Sequence, residues 1–223
     1  MQESEIEQIL NRIDENIINS DQFSNEELKW LEDFSIHKEE AIRARVAVIL
    51  ASFTEKTGEN ILINLTRDKD FLVRVEACDS LSHSESLSTY KILKRVASQD
   101  KNGMVRGYAI SSFSEISKTL NRNIETSRFM MQRLEKEKVI FVRINIYKVL
   151  YDMGERQYLR CLLRSINTKV YRNRCAVVNL LAELLDNSNK QEIKNAIEER
   201  KNIEKTRAVN STINDLLNRI TEM

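Results

Sequence analysis

The 223-residue chain contains no proline, only four glycines, and aromatic side chains at just 6%. Turn-rich β folds rely on proline and glycine as punctuation, so their scarcity excludes an all-β domain and leaves a nearly all-helical chain. Long apolar runs are missing as well. The longest, residues 46–51, falls far short of the roughly 20 residues that span a membrane. Residues 1–10 carry three glutamates and no basic cluster, which predicts that no signal peptide is present. Cysteine is limited to Cys78, Cys161 and Cys175. An odd number without a C-x-x-C pair predicts buried, reduced thiols and a cytoplasmic protein. The only two histidines, His37 and His83, lie far apart with no ligand partners at metal spacing. No glycine-rich phosphate loop occurs, and Ser98-Gln99-Asp100-Lys101 matches S-x-x-K without the companion motifs of the enzymes that use it. Neither a catalytic constellation nor a metal or other cofactor is expected.

What the chain does have is helical periodicity. Ile6, Ile9, Leu10, Ile13 and Ile17 place one apolar stripe on a helix over residues 4–18. Ser24 or Asn25 is a candidate cap for a second helix bearing Leu28, Leu31 and Phe34, with Trp30 as a core candidate. Beyond it a unit recurs, clearest in residues 70–81, where Asp70, Val73, Arg74, Ala77 and Leu81 stand at helical spacing. Anchoring each copy on its arginine gives Arg43, Arg74, Arg106, Arg143, Arg172 and Arg207, at spacings of 31, 32, 37, 29 and 35 residues. Such periods mark an array of helical repeats. A second apolar-periodic segment precedes each anchor helix after the first: 59–66, 87–97, 126–134, 157–166 and 191–199. Asp70, Asn102 and Thr168 stand where helix N-caps are expected. Gly154 is a candidate C-cap for the fourth anchor helix, and the long 37-residue spacing places extra residues around 120–123.

The D-x-x-V-R-x-x-A pieces (Asp70, Val73, Arg74 and Ala77; Val105, Arg106 and Ala109; Val142 and Arg143) resemble HEAT repeats, and more narrowly the short bacterial repeats of about thirty residues first noted in phycobiliprotein lyases. The resemblance covers roughly residues 25–222. It departs from the family pattern in lacking the proline of many first helices and in having Tyr171 and Thr206 in place of valine in the last two copies. It implies a right-handed all-α solenoid of about six antiparallel helix pairs and a single domain, capped at its start by the acidic helix 4–18. It also implies that each anchor arginine pairs with a carboxylate or carbonyl of a neighbouring repeat. A two-helix unit cannot bury its apolar face alone, so the copies must stack.

Charge is unevenly placed. Residues 1–40 hold 12 acidic and 3 basic side chains, whereas residues 101–174 hold 16 basic and 6 acidic, for a chain of net charge +1. A basic middle can steer an acidic partner. If anchor helices line the inner ridge, positions two and five residues beyond the anchors point there: Arg45, Glu76, Asp79, Tyr108, Asn145, Lys148 and Arg174. Their mixed signs and single aromatic suit a protein partner better than a phosphate backbone.

These features predict a cytoplasmic, non-enzymatic scaffold (an adaptor, inhibitor or regulatory subunit) that binds another protein, with no membrane contact, as a monomer or weak oligomer. Two alternatives remain open. One is a nucleic-acid binder using the basic block 101–174, including the alkylpurine DNA glycosylases that resemble this fold; the near-neutral chain and the placement of Trp30 in the acidic first segment count against it. The other is a chaperone-like lyase subunit, which rests on the repeat resemblance alone.

Overall fold

The computed structural model describes residues 1–20, 22–52 and 56–223. These residues form thirteen α-helices and two short 3-10 turns, with no strand among them. The chain divides into two compact units, Met1–Asn123 and Ile124–Met223.

The first unit holds α1 (Glu3–Ser20), α2 (Asn25–Phe34), α3 (Glu40–Ile49), α4 (Lys56–Leu65), α5 (Phe71–Ser80), α6 (Leu87–Gln99) and α7 (Gly103–Thr119). The anchor helices α3, α5 and α7 pack side by side, α1 extends their layer beyond α3, and α2, α4 and α6 form the companion layer. The apolar register produces this stacking. Ile42, Val46 and Leu50, then Val73, Ala77 and Leu81, then Val105, Ala109 and Phe113 are all buried at equivalent places. Each fully buried aliphatic side chain contributes about 1.5–3 kcal/mol. On α1 the stripe buries Ile6, Leu10, Ile13 and Ile17.

Local signals set the boundaries. Ser24 and Glu27 form a reciprocal capping box at the start of α2. Asp70 caps α5 by accepting from the N–H groups of Leu72 and Val73, and Asn102 caps α7 through Met104 N–H. Glu39 stands at the N-cap of α3 without a side-chain bond. Trp30, expected in the core, lies only partly buried and stacks on Phe34 at 5.5 Å.

The second unit holds α8 (Asn123–Lys136), α9 (Ile140–Asp152), α10 (Tyr158–Ser165), α11 (Tyr171–Glu183), α12 (Lys190–Ile203) and α13 (Arg207–Glu222). Here α11 packs between the anchor helices α9 and α13, with α10 and α12 against them. Leu159, Leu162, Val177, Leu181, Ile193, Ile197, Val209, Ile213 and Leu216 fill the core. Gly154 sits at φ 101° and ends α9 in a Schellman motif, with Glu155 N–H bonded to Leu150 C=O and Gly154 N–H to Tyr151 C=O. Asn121 does the same for α7 at φ 54°. The long repeat spacing is absorbed by α7 and α8, with 17 and 14 residues against 10 in α4 and α5.

The first residue of α11 is Tyr171, and its N-cap is Val170. Thr168, expected as this cap, lies two residues too early. The reason emerges from the anchors themselves.

Candidate functional site

The buried anchor arginines Arg43 and Arg74 each fasten two turns. Arg43 sends Nη1 back to the carbonyls of His37 (2.7 Å) and Lys38 (3.0 Å), and sends Nε and Nη2 forward to both oxygens of Asp68 (2.6 and 2.8 Å). Arg74 repeats the arrangement, with the carbonyls of Asp68 and Lys69 behind and Asp100 ahead (2.7 and 3.0 Å). Arg106 holds the carbonyls of Asp100 and Lys101. The forward carboxylates are themselves turn-builders: Asp68 accepts Asp70 N–H, and Asp100 accepts Asn102 N–H. Burial pushes the carboxyls of Asp68 and Asp100 up, but the paired guanidinium and the backbone N–H outweigh it, so both titrate below the usual carboxylate range.

The same geometry corrects the register of the fifth and sixth copies. Arg174 donates Nη1 to the carbonyls of Thr168 and Lys169 (both 2.9 Å), and Nε and Nη2 to Glu204 (2.7 and 3.0 Å). It is the fifth anchor. Arg172 is exposed and, among the described residues, reaches its neighbour Tyr171 at 3.4 Å. Arg207 is exposed too, and Asn210 takes the sixth place, donating Nδ2 to Glu204 C=O at 3.1 Å. The anchors are therefore Arg43, Arg74, Arg106, Arg143, Arg174 and Asn210. The sequence misleads here because Asn173 replaces the apolar residue that precedes the other anchors, and Tyr171-Arg172 imitates it two positions early.

Arg143 departs from the pattern. Its Nη1 holds the carbonyls of Leu134 and Glu137, but its Nη2 donates to Tyr147 Oη at 2.8 Å, with the guanidinium 5.6 Å from that ring. Thr168 stands 25 residues ahead of Arg143, as Asp68 stands ahead of Arg43, and offers no carboxylate. Its buried Oγ1 has no hydrogen-bond partner among the described residues.

The seven candidate partner-binding residues sort into two sets. Arg45 is engaged by Asp14 of α1. Asn145 donates to Phe141 C=O, and Lys148 lies within 3.5 Å of Asp152 and Glu183. Both are buried, and Arg174 belongs to the scaffold. Glu76, Asp79 and Tyr108 form the other set. Partial burial pushes the Tyr108 phenol up, and the nearby charges of Asp79 and Glu76 push it further. Burial followed by the Asp79 charge raises Glu76. Burial raises Asp79 against the opposing pull of His83. Neither carboxylate is ion-paired within the described residues, so α5 and α7 together present two acids of raised affinity for a proton beside a half-buried phenol. Such a group receives a cationic or hydrogen-bond-donating side chain favourably, because an incoming cation relieves the carboxylate repulsion.

No group of histidine, cysteine and acidic side chains that could hold a metal ion occurs among the described residues. The cysteines are free. Cys78 is fully buried, and that burial pushes its thiol far above its ordinary range, which makes it inert. Among the described residues, no helix is long and apolar enough to cross a membrane.

The family model for HEAT repeats matches residues 28–114. Among solved structures, the complex of CpcE and CpcF of phycocyanin lyase from Nostoc sp. PCC7120 is similar in fold, with a TM-score of 0.56 and 14% sequence identity over 88% of this chain and 83% of that one. No curated protein matches the sequence. The described residues are thus all-helical in a fold similar to that neighbour's, and residues 28–114 match the model for HEAT repeats.

Proposed function

We propose that this HEAT-repeat chain is a non-enzymatic scaffold that binds another protein through the exposed side of its anchor helices, as an adaptor, inhibitor or regulatory subunit. The observation that carries the reading is the meeting of Glu76, Asp79 and Tyr108 on α5 and α7. Scaffold arginines recur at one place and are bonded internally, whereas this trio occupies places where the copies differ and its carboxylates form no ion pair among the described residues. A partner presenting arginine or lysine beside an apolar side chain would find complementary charge there and an aromatic anchor.

The basic block gives less support to a nucleic-acid reading. Arg143, Lys148 and Arg174 face internal acceptors, so three of its cations are already committed. The solved neighbour is a complex of two lyase subunits, which favours a second reading in which this chain is a chaperone-like lyase subunit working with a partner chain. Visible absorbance of the protein purified from its native cell separates the two.

The test of the primary reading compares wild type with Tyr108→Ala and Asp79→Lys in capture from that cell, with melting temperatures recorded. A partner held by wild type should lose at least about 2 kcal/mol of affinity for Tyr108→Ala if the tyrosine is an anchor, with melting unchanged within a few degrees. Equal retention by both variants, or a hydrolytic or lyase rate abolished by Tyr108→Ala, contradicts it.

A further inference from the structure

Once the anchors are placed correctly, a second regularity appears. The residue five positions before each anchor is lysine in all six copies: Lys38, Lys69, Lys101, Lys138, Lys169 and Lys205. All six are exposed. Each lies in the turn that enters an anchor helix, and for Lys38, Lys69, Lys101 and Lys169 the backbone carbonyl is bonded by that anchor arginine. The scaffold thus fixes the backbone of these turns and leaves their ammonium groups in solvent.

The surroundings of these lysines differ between the units. In the first, acidic neighbours offset the charge: Lys38 lies near Glu3 and Glu39, and Asp70 follows Lys69. Asp70 and Asn102 also cap the helices that follow. In the second unit the N-caps of α9 and α11 are Val139 and Val170, and no side chain caps either helix. Val139, Ile140, Val170 and Tyr171 are 41–54% exposed. The middle turn also lacks the carboxylate found in its neighbours: Glu137 accepts the N–H groups of Lys138 and Val139, and Glu204 those of Lys205 and Thr206, but Thr168 offers none. Its Oγ1 is buried without a partner among the described residues. A cleft of ≈ 370 Å³ between α10 and α12 has Leu163, Ile166 and Ile203 on its walls, with Asn167, Glu199 and Arg200 beside them.

We propose that the edge carrying Lys138, Lys169 and Lys205 docks an acidic segment of a protein partner, one of whose carboxylates serves the turn at Thr168–Val170 and the uncapped start of α11. Helix N-termini and lysine ammonium groups favour an anion. The exposed valines, Ile140 and Tyr171 select what carries it. A nucleic-acid backbone gains little from aliphatic side chains, whereas a peptide whose acids alternate with apolar residues satisfies both. This surface is separate from the Glu76, Asp79 and Tyr108 trio, so either can fail alone.

The test is fluorescence anisotropy of a labelled glutamate–leucine alternating peptide with the full chain, across a salt series. A glutamine–leucine peptide and a single-stranded oligonucleotide serve as competitors. Binding that weakens with salt is expected, with neither competitor displacing the peptide. Lys138→Gln/Lys169→Gln/Lys205→Gln should weaken it about tenfold or more while keeping the wild-type melting temperature. Thr168→Asp supplies the missing carboxylate internally, so it should melt higher and also bind about tenfold more weakly. Absence of binding at low salt, wild-type affinity in both variants, or displacement by either competitor overturns the proposal.

Discussion

The two units use one device with different completeness. In the first, Arg43 and Arg74 each close a bidentate pair with the carboxylate of the next turn, and that carboxylate then builds the turn. In the second, Arg174 closes such a pair with Glu204, but Arg143 finds Thr168 ahead and turns to Tyr147. The pair sits almost wholly out of water where it exists; the Glu204 side chain is 1% exposed. The comparison teaches that the arginine's backward grip on the preceding turn is the invariant part. The forward carboxylate is the part the chain can give up, and where it is missing the turn loses an internal anion.

The strongest way to break the comparison is to strike what both units share, the apolar stacking of anchor helices. Val73→Asp places an unpaired charge at a fully buried site, and it should abolish cooperative unfolding followed by circular dichroism; Ala109→Asp should do the same. A variant that melts like wild type would show that the stacking register is wrong.

Removing one rung is the next largest effect. Arg174→Ala removes the buried bidentate partner of Glu204 and leaves Arg200 and the N–H groups of Lys205 and Thr206 to hold the carboxylate, which should cost about 1.5–3 kcal/mol in urea unfolding. Arg172→Ala, two residues away on the exposed surface, should leave the melting temperature within about 2 °C of wild type. Reversal of that order would restore the register in which Arg172 is the anchor.

Acid offers a smaller and graded probe. Burial raises the carboxyls of Asp68, Asp100 and Glu204, and the hydrogen bonds from Arg43, Arg74 and Arg174 respectively, with backbone N–H groups, bring all three below their ordinary values, Glu204 furthest. A group whose folded pKa is depressed binds fewer protons folded than unfolded, so its contribution is complete above the unfolded value and is lost as pH falls through the folded one. Stability should therefore hold above about pH 4–5 and decline progressively below it. Glu76 and Asp79 carry raised values and act in the opposite sense, so Glu76→Gln/Asp79→Asn should make the acid decline slightly steeper. A decline that begins near neutral pH would show that the carboxylates are not held by the arginines.

Much of this fold is legible in the residues themselves. The arginine register and its apolar companions are readable in copies one to four because helix stacking demands a β-branched residue before the arginine and a small or apolar one after it. The reading slips at Asn173 and Asn210, where polar residues occupy those places and nearby Tyr171-Arg172 and Thr206-Arg207 look more typical. The carboxylates Asp68, Asp100 and Glu204 were visible at a constant six residues before the following anchor, but only once that anchor is placed. The candidate site is less legible. Position along a helix names Glu76, Asp79 and Tyr108 together with Asn145, Lys148 and Arg174. Only the folded structure shows that the last three are already bonded within the chain, Asn145 within its own helix and Lys148 and Arg174 across helices.

Each anchor side chain grips the turn before it, a buried carboxylate joins the next turn at Arg43, Arg74 and Arg174, and Arg174 is the fifth anchor. A double-mutant cycle on Arg174→Ala and Glu204→Gln, read by urea unfolding, tests it directly. The account expects a coupling energy of about 1–3 kcal/mol, with the double variant losing far less than the two single losses combined. Additive losses, with coupling within about 0.5 kcal/mol of zero, would contradict it.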